Sequence, residues 1–282
     1  MDNQGGPACA ILTYHSQNVG AGRSPVNDHE ALRMDLQALT QAGLQTAPLA
    51  AALAALESDG DCAEAQPLVC LTFDDGCDLD VRDIDFPEAG PQRSLLGIME
   101  DFVMQHGAHA QPGLHATSFV IASAEARCVI DRNSLFGRGW MSDDWWQAAN
   151  DHPLLSLGNH GLDHNHPDLD AGDAGRGGFE SVDNLQACRE QVVNSAKLIE
   201  RRTGAWPEFF AYPFGESSSF LREQYFPAYA AEHRCRAALG TEPGLVTPAC
   251  KRWNLPRFVC GRDWRSSDQL LGLLESQSRF NR

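Results

Sequence analysis

Six short apolar runs, each followed by a stretch with helical periodicity, constrain this 282-residue chain more than any other feature. The runs are Ala8 to Tyr14, Pro67 to Phe73, Ala116 to Ile121, Leu154 to Leu157, Phe209 to Tyr212 and Arg257 to Cys260. Runs that are apolar on both faces suit a parallel sheet whose outside is covered by helices. The class is therefore α/β, and the length allows seven or eight strands, closed or nearly closed into a barrel. Asn27-Asp28 caps a helix that buries Leu32, Leu36 and Leu39 and stops at Gly43. A longer helix is expected over about Glu180 to Arg202, closed by Gly204, and Ser266 caps a last one. The chain reads as one domain over residues 1–282, with no internal repeat and no signal for an oligomeric state.

The charge excludes one class of partner. Twenty-two Lys and Arg stand against 38 Asp and Glu, a formal charge of −16 that repels nucleic acid and anionic membrane surfaces. Nine cysteines without a C-x-x-C pair read as free thiols of a reducing compartment. The N-terminus lacks the basic and apolar regions of a signal peptide, and no run of about 18 apolar residues exists to insert into a membrane. The expectation is a soluble cytoplasmic protein.

Chemistry concentrates where the apolar runs end. Leu71-Thr72-Phe73 stops in Asp74-Asp75-Gly76. Two adjacent carboxylates repel, which a strand end tolerates when a cation neutralises one and the other acts as a general base; the same letters also suit a surface turn. Leu157-Gly158-Asn159 runs into His160-Gly161-Leu162-Asp163-His164-Asn165-His166, where imidazoles four apart on one face of a helical turn can grip one cation. His166, next to Pro167, is expected to point into the following turn. Phe209 to Tyr212 stops at Pro213-Phe214-Gly215, whose backbone N–H groups are candidate oxyanion donors. Thr13-Tyr14-His15 ends the first run. In a β/α barrel all these ends converge on one face.

In these residues the sequence resembles the polysaccharide deacetylase family, the NodB-homology domains of carbohydrate esterase family four. Thr72-Phe73-Asp74-Asp75-Gly76 is similar to its first motif, His160 to His164 to its second, Ala116-Thr117-Ser118-Phe119-Val120 to the strand between them, and Tyr212-Pro213-Phe214-Gly215 to the tail of its third. The resemblance covers about residues 8–260. It implies a distorted (β/α) barrel of seven or eight mostly parallel strands and a divalent metal, usually zinc, on Asp75, His160 and His164. It also implies Asp74 as general base, the Phe214 N–H as an oxyanion donor with Tyr212 and Pro213 beside it, and N-deacetylation of an N-acetylated sugar or glycan. Relatives that hydrolyse cyclic ureides or lipid-linked sugar amides, and a weakened carbohydrate-binding relative, are the alternatives.

Three departures bear on mechanism. Ala211 stands where the family has an Arg that orients the base; Arg257 is the candidate replacement, its plain reading being a surface Arg at a strand end. The family's L-x-H general acid is absent, which leaves His15 as a candidate acid or as a buried histidine with satisfied hydrogen bonds. Asp263-Trp264 only echoes the fourth motif.

Other features are assigned to packing or solvent. In Trp140 to Trp146, Ser142 is expected to cap a helix that packs Trp145 or Trp146 into the core rather than offering a sugar platform. Asp78, Asp80, Asp83 and Asp85 read as a solvated loop, with a second cation as the alternative. Cys77 is expected to pack in the loop, and His106 and His109 to face solvent. Cys77 to Gly90 and Asp168 to Gly178 read as long loops over the site. Negative charge at its mouth should favour neutral or amine-bearing glycans over anionic ones.

Overall fold

The computed structural model describes residues 7–20, 26–57, 67–87, 89–169 and 176–280. Nine strands follow in chain order: β1 Cys9–Tyr14, β2 Leu68–Phe73, β3 Ile84–Phe86, β4 Gly90–Gln92, β5 Ala116–Val120, β6 Leu155–Asn159, β7 Phe209–Ala211, β8 Ala237–Leu239 and β9 Phe258–Val259. Seven of them form one sheet in the order β8-β7-β6-β5-β2-β1-β9, and every neighbouring pair is parallel. The sheet curls until its outer strands nearly meet. Leu239 at the end of β8 bridges Leu255, just ahead of β9, through Gly240 N–H to the Leu255 carbonyl and Leu255 N–H to the Ala238 carbonyl, both 2.9 Å. This is the expected distorted (β/α) barrel of seven strands.

Side chains alternate between its two faces, as strand geometry requires. On β1, Cys9 and Ile11 join Cys70, Phe119, Ala211, Leu239 and Leu255 in an interior cluster on which the helix Leu49–Glu57 packs. Ala10, Leu12 and Tyr14 face out, with Leu32, Leu36 and Leu39 of the helix Asp28–Gln41, Met99 of Leu95–His106, and Leu270 and Leu274 of Ser267–Phe280. Trp264 is buried in that layer, edge-on to Tyr14, and both rings hydrogen-bond Asp35.

Local signals hold at several helix ends and fail at two. The Asn27 side chain accepts from His29 and Glu30 N–H, and Gly43 ends that helix in the left-handed region at φ 74°. The helix expected from Glu180 instead starts at Leu185, where Asn184 accepts from Ala187 N–H at 3.0 Å; Phe179–Ser181 is a separate 3₁₀ turn. Its Arg189–Asn194 portion is π-helical before α geometry resumes over Ser195–Thr203. Ser142 caps no helix: its backbone and hydroxyl both bind Asp78, and the short helix starts at Trp146. Trp145 and Trp146 are in the core.

The aspartate loop after β2 is only half solvated. Asp83 and Asp85 are exposed, whereas Asp78 is buried against Ser142 and Trp145, and Asp80 against Ser118. Cys77 is buried, and His106 and His109 are exposed. The cysteines among the described residues are free thiols; Cys62 and residues 170–175 of the loop expected over Asp168 to Gly178 lie outside them. Among the described residues no helix is long and apolar enough to cross a membrane.

Candidate active site

A parallel sheet delivers all its C-terminal strand ends to one edge. Here they open into a pocket of about 350 Å³, lined by His15 after β1, Asp74 and Asp75 after β2, Ile121 after β5, His160 and His164 after β6, Phe214 after β7 and Val259 of β9. Asp75 takes the left-handed conformation at φ 77°, and Gly76 follows at φ 67°. A Cβ on Gly76 would lie 2.7 Å from Val120 Cγ1 and 2.9 Å from Val120 Cα. Only glycine lets β2 turn this sharply against β5, and the turn swings the second carboxylate over the pocket.

Asp75 Oδ1 lies 3.4 Å from Nε2 of both His160 and His164. Two ligands at about 2.05 Å from a tetrahedral ion would be about 3.3 Å apart, so the spacing fits a zinc-like centre. The hydrogen bonds fit it too. His160 Nδ1 is 2.9 Å from the Ala211 carbonyl, which can only accept, so Nδ1 carries a proton and Nε2, if it carries none, turns its lone pair on a carboxylate. That arrangement is repulsive without positive charge between the two groups. Burial would lower the His160 pKa, but the charge of Asp74 and the hydrogen bond to Asp75 raise it on balance. Burial and the neighbouring His160 push His164 down to about 3, which keeps its ring neutral and free to offer a lone pair to a cation. Burial opposes ionisation of Asp75, yet His160 and His164 hold its carboxyl far below the usual range. A divalent cation satisfies all three groups at once.

The H-x-x-x-H segment is not the helical turn expected. Gly161, His164 and Asn165 have φ of 85°, 60° and 46°, and the loop is shaped by side chains. Asp163 accepts from Arg176 at 2.7 Å, Gln191 at 2.7 Å and Asn165 N–H at 2.9 Å. Gln191 Oε1 accepts from Leu162 N–H at 3.0 Å. Gln191 sits in the π-helical portion, and the carbonyl of its neighbour Val192 accepts from Asn159 Nδ2 at 2.9 Å, so the helix irregularity and the ligand loop fit each other.

Asp74 is buried beside this centre and gripped by Arg257, Nη1 to Oδ1 and Nη2 to Oδ2, both 2.8 Å. Arg257 is fully buried, and its Nε donates to the Gly240 carbonyl at 2.8 Å. Burial alone would raise the Asp74 pKa; the charge of Arg257, then of His160, lowers it, so the carboxylate stays ionised.

Of the three residues expected at the oxyanion side, only Phe214 lines the pocket. Tyr212 faces the opposite way: it is buried with Phe210 and Phe226, its hydroxyl donates to the Trp253 carbonyl at 2.6 Å and its N–H to the Leu239 carbonyl at 2.9 Å. Period-two alternation along β7 explains this, since Ala211 points inward and its neighbours outward. Pro213 is buried in the turn. Phe214 has φ 59°, packs edge-on against His164, and its N–H has no hydrogen-bond partner among the described residues.

His15 lines the pocket, its N–H bound by Asp28 at 2.8 Å and its Nδ1 buried without a partner. His166 engages the following turn as expected, its Nδ1 accepting from Asp168 N–H at 3.3 Å, and it also lines the pocket. Gln17, Ser134, Thr241 and Arg262 add to the polar wall, and no motif pointed to any of them.

No family model and no curated protein matches the sequence. Solved structures do match the fold. IcaB from Ammonifex degensii superposes with a TM-score of 0.64 at 16% identity, over 96% of this chain and 98% of that one. The deacetylase PplD of Streptococcus pyogenes, solved with acetate, gives 0.62 at 16% identity over 95% and 98%. A polysaccharide deacetylase of Bacillus cereus gives 0.59 at 15% identity over 95% and 69%. At such identities the likeness establishes the fold, which is the NodB-type barrel of polysaccharide deacetylases.

Proposed function

We propose that this chain is a metal-dependent amide hydrolase that removes the acetyl group from an N-acetylated sugar or glycan, with its site built by one domain. The observation that carries the reading is the pairing of two buried features in one pocket: a three-donor centre, Asp75, His160 and His164, within 4.8 Å of one another, and an Arg257-held carboxylate, Asp74, beside it. The structural neighbours, named as deacetylases, support the reaction class.

A divalent ion on Asp75, His160 and His164, zinc being our first choice, would polarise the amide carbonyl and acidify water. Asp74, kept ionised and oriented by Arg257, takes a proton from the attacking water. The Phe214 N–H, unpaired at a turn against His164, donates to the carbonyl oxygen as its charge grows. His15, with no L-x-H histidine on the C-terminal helix, gives the proton to the departing amine. Amide and water become acetate and an ammonium group, both protons of the water ending on the departing nitrogen as Asp74 and His15 return to their starting states. The negative charge at the mouth supports neutral or amine-bearing substrates.

The test is acetate release from chitooligosaccharides and from nucleotide-linked N-acetyl sugars by zinc-loaded protein. Asp74→Asn should lower kcat by about 10²-fold or more and His15→Gln by a similar factor. Full turnover by the first variant removes Asp74 as base, and full turnover by the second removes His15 as acid.

A further inference from the structure

Resting on that reading of the metal centre, we propose that Gln17 is a positioning residue of the site: it holds one oxygen of Asp75 so that the ligand presents only the other. Gln17 Nε2 donates to Asp75 Oδ2, while Oδ1 of the same carboxylate faces both imidazoles at 3.4 Å. The amide orientation is fixed by chemistry, because turning it over would set Gln17 Oε1 against an anion. Gln17 Oε1 is buried and without a hydrogen-bond partner among the described residues, so the Nε2 bond to Asp75 is what orients the group.

The backbone that offers Gln17 is itself clamped. Residues His15 to Asn18 form a turn closed by Asn18 N–H to the His15 carbonyl at 2.9 Å. Asp28 Oδ2 accepts from His15 N–H at 2.8 Å, and Asp28 N–H donates to the Asn18 carbonyl at 2.8 Å. His29 Nε2 lies 2.7 Å from the Ser16 carbonyl, and its Nδ1 2.6 Å from the Arg93 carbonyl. The start of one helix thus pins both flanks of Gln17, which lowers the entropy lost when its side chain orders on Asp75.

The consequence concerns coordination. A carboxylate with both oxygens free chelates through two, as on large hard cations, and raises the coordination number. With Oδ2 occupied by an amide, Asp75 counts as one donor beside two imidazoles, the set that suits a four-coordinate ion with one open position.

The experiment compares zinc and cobalt binding by wild type, Gln17→Leu and His160→Ala, using competition with a chromophoric chelator and the visible absorption of the cobalt-loaded proteins, with circular dichroism as the check on folding. Gln17→Leu should fold normally, bind zinc about 10- to 100-fold more weakly, and show weaker cobalt bands as the freed carboxylate chelates. Wild-type affinity and an unchanged cobalt spectrum in Gln17→Leu overturn the assignment while His160→Ala still loses metal. Equal zinc binding by wild type and His160→Ala overturns the metal centre itself, and this inference with it.

Discussion

Arg257 and Asp74, 183 residues apart in sequence, meet through two parallel 2.8 Å hydrogen bonds with neither charge exposed to water. The meeting depends on closure of the barrel. Arg257 lies two residues after Leu255, which bridges β8, and two residues before Val259, which pairs with β1. The guanidinium therefore enters from the seam to reach a carboxylate at the end of β2. Its fork-to-fork geometry fixes the carboxylate plane as well as its charge.

Removing one partner of this pair should be costly and strongly non-additive. Arg257→Gln leaves a buried carboxylate uncompensated, with an expected loss of about 3–5 kcal/mol, and Asp74→Asn strands a buried guanidinium. The double variant should be less destabilised than the sum of the two by at least about 1 kcal/mol. Urea unfolding of the four proteins gives the coupling, and strict additivity would show that the two groups do not depend on each other.

Metal should stabilise the fold through the three ligands. Zinc at about 100 times its dissociation constant adds about 2.7 kcal/mol if only the folded state binds it, which for a chain of this size raises Tm by about 5 °C or more. His164→Ala should lose that rise. Differential scanning calorimetry with and without chelator measures it, and an equal zinc shift in both proteins would exclude His164 as a ligand.

The parts of this site that are legible in the sequence are the local ones. Asp74-Asp75-Gly76 and His160 to His164 declare themselves because strand end, carboxylate, imidazole and glycine lie within a few residues of each other. What needs the assembled barrel is not legible: Gln17 reaches Asp75 across two strands, and Gln191 reaches Asp163 from a helix 28 residues later. β8 hides because Ala237-Ala238-Leu239 has two alanines and little strand preference. Asp78 and Asp80 look solvated by letter, yet both are buried, Asp78 against Ser142 and Trp145 and one oxygen of Asp80 against Ser118, all from distant segments. Tyr212 is different, since the alternation of Phe209, Phe210 and Ala211 already places it on the helix-facing side.

Gly76 should tolerate no side chain. Alanine there meets Val120 at under 3.0 Å and holds φ near 67°, so the strand end must shift and carry Asp75 with it. Gly76→Ala should cost about 1–3 kcal/mol and weaken zinc binding together with stability. Gly43→Ala, also at positive φ but with open space around its Cβ, is the control: it should cost stability alone. Equal zinc affinity in Gly76→Ala and wild type would show that the turn does not set the ligand.

Asp80 should make the metal-free protein less stable as pH rises. Burial, opposed by the Ser118 hydrogen bond and reinforced by the charges of Asp75 and Asp74, pushes its carboxyl up to about 7 from an ordinary value of 3.8. Between those two values the folded chain holds a proton that the unfolded chain has released. Stability from this group is therefore complete at low pH and is lost as pH climbs through the folded value, by at most about 4 kcal/mol in total. Asp80→Asn keeps an acceptor for Ser118 and removes the titration. In chelator-treated protein its urea midpoint should exceed that of wild type at pH 8, and the gap should shrink toward pH 5. A bound divalent ion near Asp75 would lower the Asp80 carboxyl, so zinc should flatten the wild-type slope. Parallel slopes for the two metal-free proteins would show that Asp80 does not carry the effect.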